Sequence, residues 1–308
     1  MDAGLHAPAE TAAVAPRPAP PGPTFAVAFG GGGARGLAHI HVIEVLDELG
    51  IRPVAIAGSS IGAMMGAGMA AGMSGRAIED HARAVLSNRG EAAARLWRTV
   101  PRSFGELVSG GVRLGQFDIG RILRAFMPDA VPDRFEELKI PLHVTATDFY
   151  GHAERVFAEG DLFVALAASA ALPAIFRPVS HDGRVLIDGG IANPVPFDVL
   201  DGRADIVIAV DVVGTPGANG AQPGALDLLL GASQIMMASI VALKLERSRP
   251  QIMLRPPVSH FRVLDFLKVD RVLEGTAPVR DELKRAIDAA VERFALAGGA
   301  PDGRDLHR

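Results

Sequence analysis

The chain of 308 residues contains no cysteine. That excludes disulfides, thiolate catalysis and cysteine-ligated zinc, and it fits a reducing compartment. Aromatic residues are scarce at 5%, so the core must be aliphatic, with Ala, Val, Leu and Ile packed between closely approaching elements. Basic residues are not in excess. With 31 Lys and Arg against 35 Asp and Glu the net charge is −4, which argues against nucleic acid as a partner, because phosphate binding needs a concentrated basic face. No apolar run approaches the roughly 18 residues of a membrane span, so a soluble protein is expected. Residues 1–23 lack the basic start and unbroken apolar core of a secretory signal.

What is abundant is apolar residues, 49% of the chain, enough for a large core. The tail 1–23 is rich in Ala and Pro, and Pro16, Pro18, Pro20, Pro21 and Pro23 keep it from helix or paired strand. It reads as disordered. From there "TFAVAF" (24–29) and "RPVAIAG" (52–58) read as strands joined by a helix over 34–49 that Gly50 terminates. This is a βαβ unit with parallel strands. A second helix, "IGAMMGAGMAAG" (61–72), follows the second strand at once. Its small residues Gly62, Gly66 and Ala70 leave one face bare for close packing. Further strands are predicted at 141–148, 184–188, 205–213 and 251–256, with helices at 161–171, 226–246 and 278–297. Alternation of strands and helices predicts an α/β fold, a three-layer α/β/α sandwich around a mostly parallel central sheet. One domain is expected over 24–298, with 76–140 as a helical cap or variable region and 299–308 as a flexible end. Within that cap Arg83, Arg89, Arg95, Arg98 and Arg102 surround Trp97. It reads as a helical layer with a solvated arginine face, the alternative being a lid that touches a membrane. The Leu- and Met-rich helix 226–246 reads as core, the alternative being a surface for acyl chains or a partner subunit.

Gly31, Gly33 and Gly36 in "GGGGARG" fit the G-x-G-x-x-G spacing of a dinucleotide site. Such a site needs an acid at the end of the second strand, about 20 residues on. That strand ends "AIAGSS", with no acid. No cofactor is therefore expected. What the strand end does carry is Gly58-Ser59-Ser60-Ile61-Gly62, a G-x-S-x-G pattern at a strand-to-helix junction. A nucleophile on so sharp a turn needs small neighbours two residues either side, here Gly58 and Gly62. The helix that follows offers free N–H groups and its dipole to negative charge at Ser60. In a parallel sheet the loops after the first two strands emerge on the same edge. The amides of Gly31, Gly32 and Gly33, with the N–H of Ile61, can therefore form an oxyanion hole for acyl transfer. Arg35 either adds positive charge there or pins the loop.

Ser60 needs a base. Of nine histidines, His260 in "PPVSHFRV" is the late candidate expected of an α/β-hydrolase order, although only two strands precede the serine. His39 and His41 read as packing residues. The other candidate is Asp188 in "LIDGGIANPVP" (186–196), at the end of an apolar strand and followed by Gly189 and Gly190. A carboxylate there can take the serine proton if burial raises its pKa. Asp148, Asp182 and Asp211 also stand at strand ends or turns, and spacing alone prefers Asp188 without forcing it.

Four blocks in order, "GGGGARGLAHI", "GSSIGA", "AASAALPAIFRPV" (167–179) and "DGGIANPVP", resemble the patatin-like phospholipase family, in particular its bacterial branch related to neuropathy target esterase. The resemblance covers roughly residues 24–213. It implies a Ser–Asp dyad at Ser60 and Asp188 with no histidine or metal in the chemistry, a patatin-like three-layer fold, and hydrolysis of lipid acyl esters of phospholipase A or lysophospholipase type. Ser59 stands where the family often has Thr. The 167–179 block is expected to line the acyl pocket, with Ser169 structural. The alternatives are a His260-dependent esterase and a non-catalytic lipid-binding regulator. A lipid or acyl-ester partner and a cytoplasmic protein are expected, the alternative being one that makes transient contact with the inner face of a membrane. Oligomeric state is not legible.

Overall fold

A computed structural model describes residues 22–87, 90, 117–216 and 222–298. Arg89, Arg95, Trp97, Arg98 and Arg102, most of the 1–23 tail and the 299–308 end lie outside the described residues.

The chain starts with β1 (Phe25–Phe29), then a 3-10 turn Gly33–Ala38 and α1 (His39–Glu48). The helix expected over 34–49 therefore has two parts. Its first turn is wound tighter because it crosses closely over the next element: a Cβ on Gly36 would lie 2.3 Å from Ile61 Cγ2. Next come β2 (Ala55–Ser59), α2 (Ile61–Ala70), α3 (Gly75–Leu86), α4 (Ile119–Phe126), β3 (Leu142–Asp148) and β4 (Ala153–Phe157). Then follow α5 (Leu162–Ser169), β5 (Val179–His181), β6 (Arg184–Asp188) and β7 (Ile206–Val210). The last elements are α6 (Ala225–Arg247), β8 (Ile252–Leu254), α7 (Val269–Thr276) and α8 (Val279–Leu296). The short strands β4 and β5 were not predicted, because both are half-exposed at the sheet's edge and lack an apolar run.

The eight strands form one mixed sheet in the order β5-β6-β3-β2-β1-β7-β8, with β4 also on β3. Its centre, from β3 through β2, β1 and β7 to β8, is parallel. The β4, β5 and β6 pairings are antiparallel. This is the expected α/β architecture. The two faces of the sheet differ in residue size. Phe25, Val27, Phe29, Ile56, Ile206 and Ile208 point into the larger core, against α1, α2, α7 and α8. Ala26, Ala28, Ala55, Ala57 and Ala209 point the other way. Their small side chains let Val195, Phe197, Leu200 and α6 residue Val241 lie close to the backbone.

His39 and His41 have the packing roles expected of them. His39 Nε2 donates to the Gly30 carbonyl at 2.8 Å, and complete burial pushes its pKa down to about 4, so it stays neutral. His41 Nε2 lies 2.8 Å from the Leu273 carbonyl.

The expectation that 226–246 is core fails. Only Gln234 and Val241 of α6 are buried. Leu228, Ile235, Met236 and Leu243 are 57, 59, 60 and 62% exposed. A helix that is apolar all round normally signals burial, whereas here a single stripe meets the protein and the rest faces outward. The expectation that nothing has the length of a membrane span is corrected too. Among the described residues α6 is long and apolar enough to cross one, with hydropathy 1.8.

Candidate active site

The sheet's carboxyl edge carries the site. β2 ends at Ser59, and Ser60 turns the chain sharply into α2 with φ 53° and ψ −124°, a conformation costly for a residue with a side chain. The flanking glycines make the turn sterically possible. A Cβ on Gly62 would lie 2.1 Å from the Phe29 carbonyl oxygen, and one on Gly58 would lie 2.5 Å from Ala63 Cα. Ser60 makes no side-chain cap to its own helix. Its Oγ donates instead to Asp188 Oδ2 at 2.7 Å, and its N–H donates to Ser169 Oγ at 2.8 Å.

Asp188 reaches that place because β6 runs antiparallel to β3, opposing Asp188 to Ala146. The following Gly189 fits only without a side chain, since a Cβ would come within 2.2 Å of the Thr145 carbonyl oxygen. The N–H of Gly190 donates to Asp188 Oδ1 at 2.8 Å, and Thr147 Oγ1 donates to the Asp188 carbonyl at 2.8 Å. The carboxyl is buried. Burial pushes its pKa up to about 6, against the opposing pull of the Ser60 and Gly190 hydrogen bonds. A carboxylate so tuned can accept a proton from its hydroxyl partner near neutral pH.

The other acids are committed elsewhere. Asp148 takes the Gly151 N–H and the Arg184 guanidinium, which hold its carboxyl below the usual range. Asp211 pairs with Arg255, and Asp182 stands exposed in a turn. The His260 ring lies tilted against that of Phe261, with centroids 4.1 Å apart, and it lines a separate cleft with Lys268, Arg271 and Glu274. It is absent from the lining of the cavity that holds Ser60.

The glycine loop lies beside Ser60, as the sequence predicts: a Cβ on Gly31 would sit 3.3 Å from Ser60 Cβ. Its amides divide. The N–H of Gly31 donates to the Pro194 carbonyl at 2.9 Å, which corrects its expected place among the oxyanion donors. Gly31 contributes a bare Cα instead. Among the described residues no acceptor takes the N–H of Gly32, Gly33 or Ile61. Gly33 has φ +59°, and a Cβ there would lie 2.2 Å from the Val263 carbonyl oxygen. Arg35 is buried behind the loop, with Nε donating to the Phe261 carbonyl at 2.7 Å and Nη1 to that of Val213. Of its two expected roles, the geometry is that of a pin.

Ser60 and Asp188 open into a cavity of about 620 Å³. It runs between α2, α3 and α4 past Met64, Ile78, Val85, Leu123 and Phe126. Ala170, Leu172 and Pro173 of the 167–179 block line it, as expected of that block. Its outer rim carries the exposed Leu229, Leu264 and Leu267. Sequence reasoning misses the contact of Ser169 with Ser60, and it holds a surface for acyl chains on α6 only as the alternative. Both contacts join residues distant in the chain, and spacing along the sequence does not reveal them. Among the described residues no group of three His, Asp or Glu is placed to hold a metal.

Residues 27–201 match the family model described as patatin-like phospholipase. An uncharacterized NTE family protein of Mycobacterium tuberculosis is 37% identical over 195 residues, covering 63% of this chain and 50% of that protein. Patatin-like phospholipase domain-containing protein 7 of Rattus norvegicus is 28% identical over 282 residues, covering 82% of this chain and 20% of that protein. The chain thus spans at most about half the length of these relatives. Among solved structures, the ExoU–SpcU complex of Pseudomonas aeruginosa aligns over 89% of this chain and 52% of that one, with a TM-score of 0.44 and 16% identity.

Proposed function

Since the chain belongs to the patatin-like phospholipase family, we propose that it is a serine hydrolase of lipid acyl esters, of phospholipase A or lysophospholipase type. The observation that carries this is the 2.7 Å hydrogen bond from Ser60 to Asp188 at the edge of a long apolar cavity. In the proposed reaction Asp188 takes the Ser60 proton as Oγ attacks the ester carbonyl. The N–H groups of Gly32, Gly33 and Ile61 hold the oxyanion, helped by the α2 dipole. Collapse of the tetrahedral intermediate breaks the ester C–O bond, and Asp188 returns the proton to the departing alcohol. Asp188 then deprotonates a water, which attacks the acyl group on Ser60. The second collapse releases the fatty acid and gives the proton back to Oγ.

The test is a panel of phospholipids, lysophospholipids, neutral lipids and small esters, run beside labelling with a fluorophosphonate probe. Fatty-acid release and labelling at Ser60 are expected, both unchanged in His260→Ala. Loss of activity in His260→Ala would favour a histidine mechanism, and an unlabelled, inactive wild type would favour a lipid-binding regulator.

We further propose that the protein meets its substrate at a lipid surface through α6. The exposed apolar stripe Leu228, Ile235, Met236, Leu243 continues from the rim residue Leu229. A surface that takes acyl chains out of a bilayer gains by seating its entrance there. Leu228→Asp with Met236→Asp is expected to weaken binding to phosphatidylcholine vesicles about tenfold or more, with hydrolysis of a water-soluble short ester unchanged. Equal vesicle binding by the double variant would remove α6 from the contact.

A further inference from the structure

We propose that Ser169 is a positioning residue for the dyad: its hydroxyl, at the end of α5, holds the strained backbone of Ser60 in the conformation that aims Oγ at Asp188. The inference rests on the serine-hydrolase reading and adds to it a residue that touches neither substrate nor the reacting oxygen.

The turn that closes α5 grips both halves of the dyad. Ser169 Oγ accepts the N–H of Ser60 at 2.8 Å, and two residues later the Ala171 carbonyl accepts the N–H of Asp188 at 3.1 Å. These are main-chain contacts at the two residues whose side chains meet at 2.7 Å. The turn is itself fixed. Asp161 caps α5, with Oδ1 accepting the Val164 N–H at 2.9 Å. Leu162 and Leu166 anchor the helix in the core, and Ser169 is wholly buried.

Ser60 requires such a hold because φ 53° with ψ −124° is disfavoured for any residue with a Cβ. A strained conformation persists only where its surroundings over-determine it. The amide of Ser60 is also the peptide that joins β2 to the turn. In an ordinary sheet ladder its N–H would find a neighbouring strand. At the end of β2 the ladder has stopped: the last β2–β3 pair is Ser59 with Thr145. Ser169 supplies the acceptor that the sheet no longer provides. Without it a buried N–H loses its partner, and the elbow can relax toward an unstrained φ. That rotates Oγ away from Asp188 and shifts the Ile61 N–H that follows. A displacement of about 1 Å at a reacting atom typically costs about 100-fold in rate.

The decisive variants are Ser169→Ala, which removes the acceptor, and Ser169→Thr, which restores it. Ser169→Ala is expected to lower kcat and the rate of fluorophosphonate labelling about 10- to 100-fold, with KM within about twofold because the cavity is untouched. Ser169→Thr should recover most of the loss, and Ser169→Cys, a weaker acceptor of similar size, stands in if the threonine methyl prevents folding. Hydrogen exchange at the Ser60 amide gives a readout independent of activity. The amide should be protected in the wild type, exchange at least about tenfold faster in Ser169→Ala, and regain protection in the hydroxyl variant. Wild-type kcat in folded Ser169→Ala, or unchanged exchange at Ser60, overturns the proposal. So does a loss that neither threonine nor cysteine rescues. If the wild type itself neither labels nor hydrolyses, it is the serine-hydrolase reading that fails, and the exchange measurement still decides whether Ser169 holds the elbow.

Discussion

Ser60→Ala is expected to lower kcat/KM for lipid esters by about 10,000-fold or more, with little change in melting temperature. The expectation follows from how little else the hydroxyl does. It caps no helix, and among the described residues its one side-chain hydrogen bond goes to Asp188. Alanine keeps the Cβ that already tolerates the elbow, so the backbone and the glycine contacts around Gly58 and Gly62 are preserved. Residual turnover should reflect oxyanion stabilisation and binding alone. Thermal unfolding measured beside the lipid assay separates the two effects. A variant that retains wild-type turnover would move the nucleophile elsewhere.

Asp188→Asn is expected to remove activity by about 1,000-fold or more while leaving stability equal or higher at alkaline pH. Asparagine can still accept the Gly190 N–H and face Ser60, but it cannot take a proton. The effect on stability comes from the carboxyl's environment. Its folded pKa is raised to about 6 from the ordinary 3.8. A carboxyl with a raised folded value binds its proton more tightly in the folded state. Its ionisation therefore costs stability above about pH 6, by about 3 kcal/mol. The cost fades as the pH falls through the window from about 6 to 3.8. The wild type should accordingly gain activity as pH rises through about 6, where the base ionises. The stability advantage of Asp188→Asn should be largest near pH 8 and vanish near pH 4. Paired melting curves at those two values, with a pH–rate profile, check both limbs. An asparagine variant less stable than wild type at pH 8 would show that the carboxylate contributes to folding rather than burdening it.

The site was legible wherever its chemistry leaves a local mark. Gly58 and Gly62 betray the elbow because a side chain on Gly58 would strike α2 and one on Gly62 would strike the end of β1. Gly189 betrays the acid loop because Thr145 leaves no space for a side chain. The order of strands alone puts Ser60 and the glycine loop on one edge of the sheet. What stayed hidden depends on direction rather than composition. The four loop residues Gly30 to Gly33 look alike in sequence, yet the amides of Gly30 and Gly31 are spent on Val210 and Pro194 while those of Gly32 and Gly33 stay unclaimed. Arg35 could be read either as a charge near an anion or as a pin, and only its bonds to the Phe261 and Val213 carbonyls decide for the pin. Helix 225–247 misled for a different reason. Its apolar residues suggested an interior position, and periodicity could not separate a stripe that packs from a face that does not. The bond from Ser60 to Ser169 joins residues that no motif connects.

β3 lies between the strand that delivers Ser60 and the strand that delivers Asp188. The gap between the reacting groups is thus two strand spacings, about 10 Å of backbone, closed by two short side chains. The hydrogen-bonded ladder acts as a ruler, and its length cannot be adjusted by exchanging side chains. The walls of the cavity proposed to receive the acyl chain come instead from α3 and α4, outside that ladder. Changes of preference for long or short chains can accumulate there while the reacting pair keeps its spacing, so descendants of such a sequence can diversify in diet without relearning their chemistry.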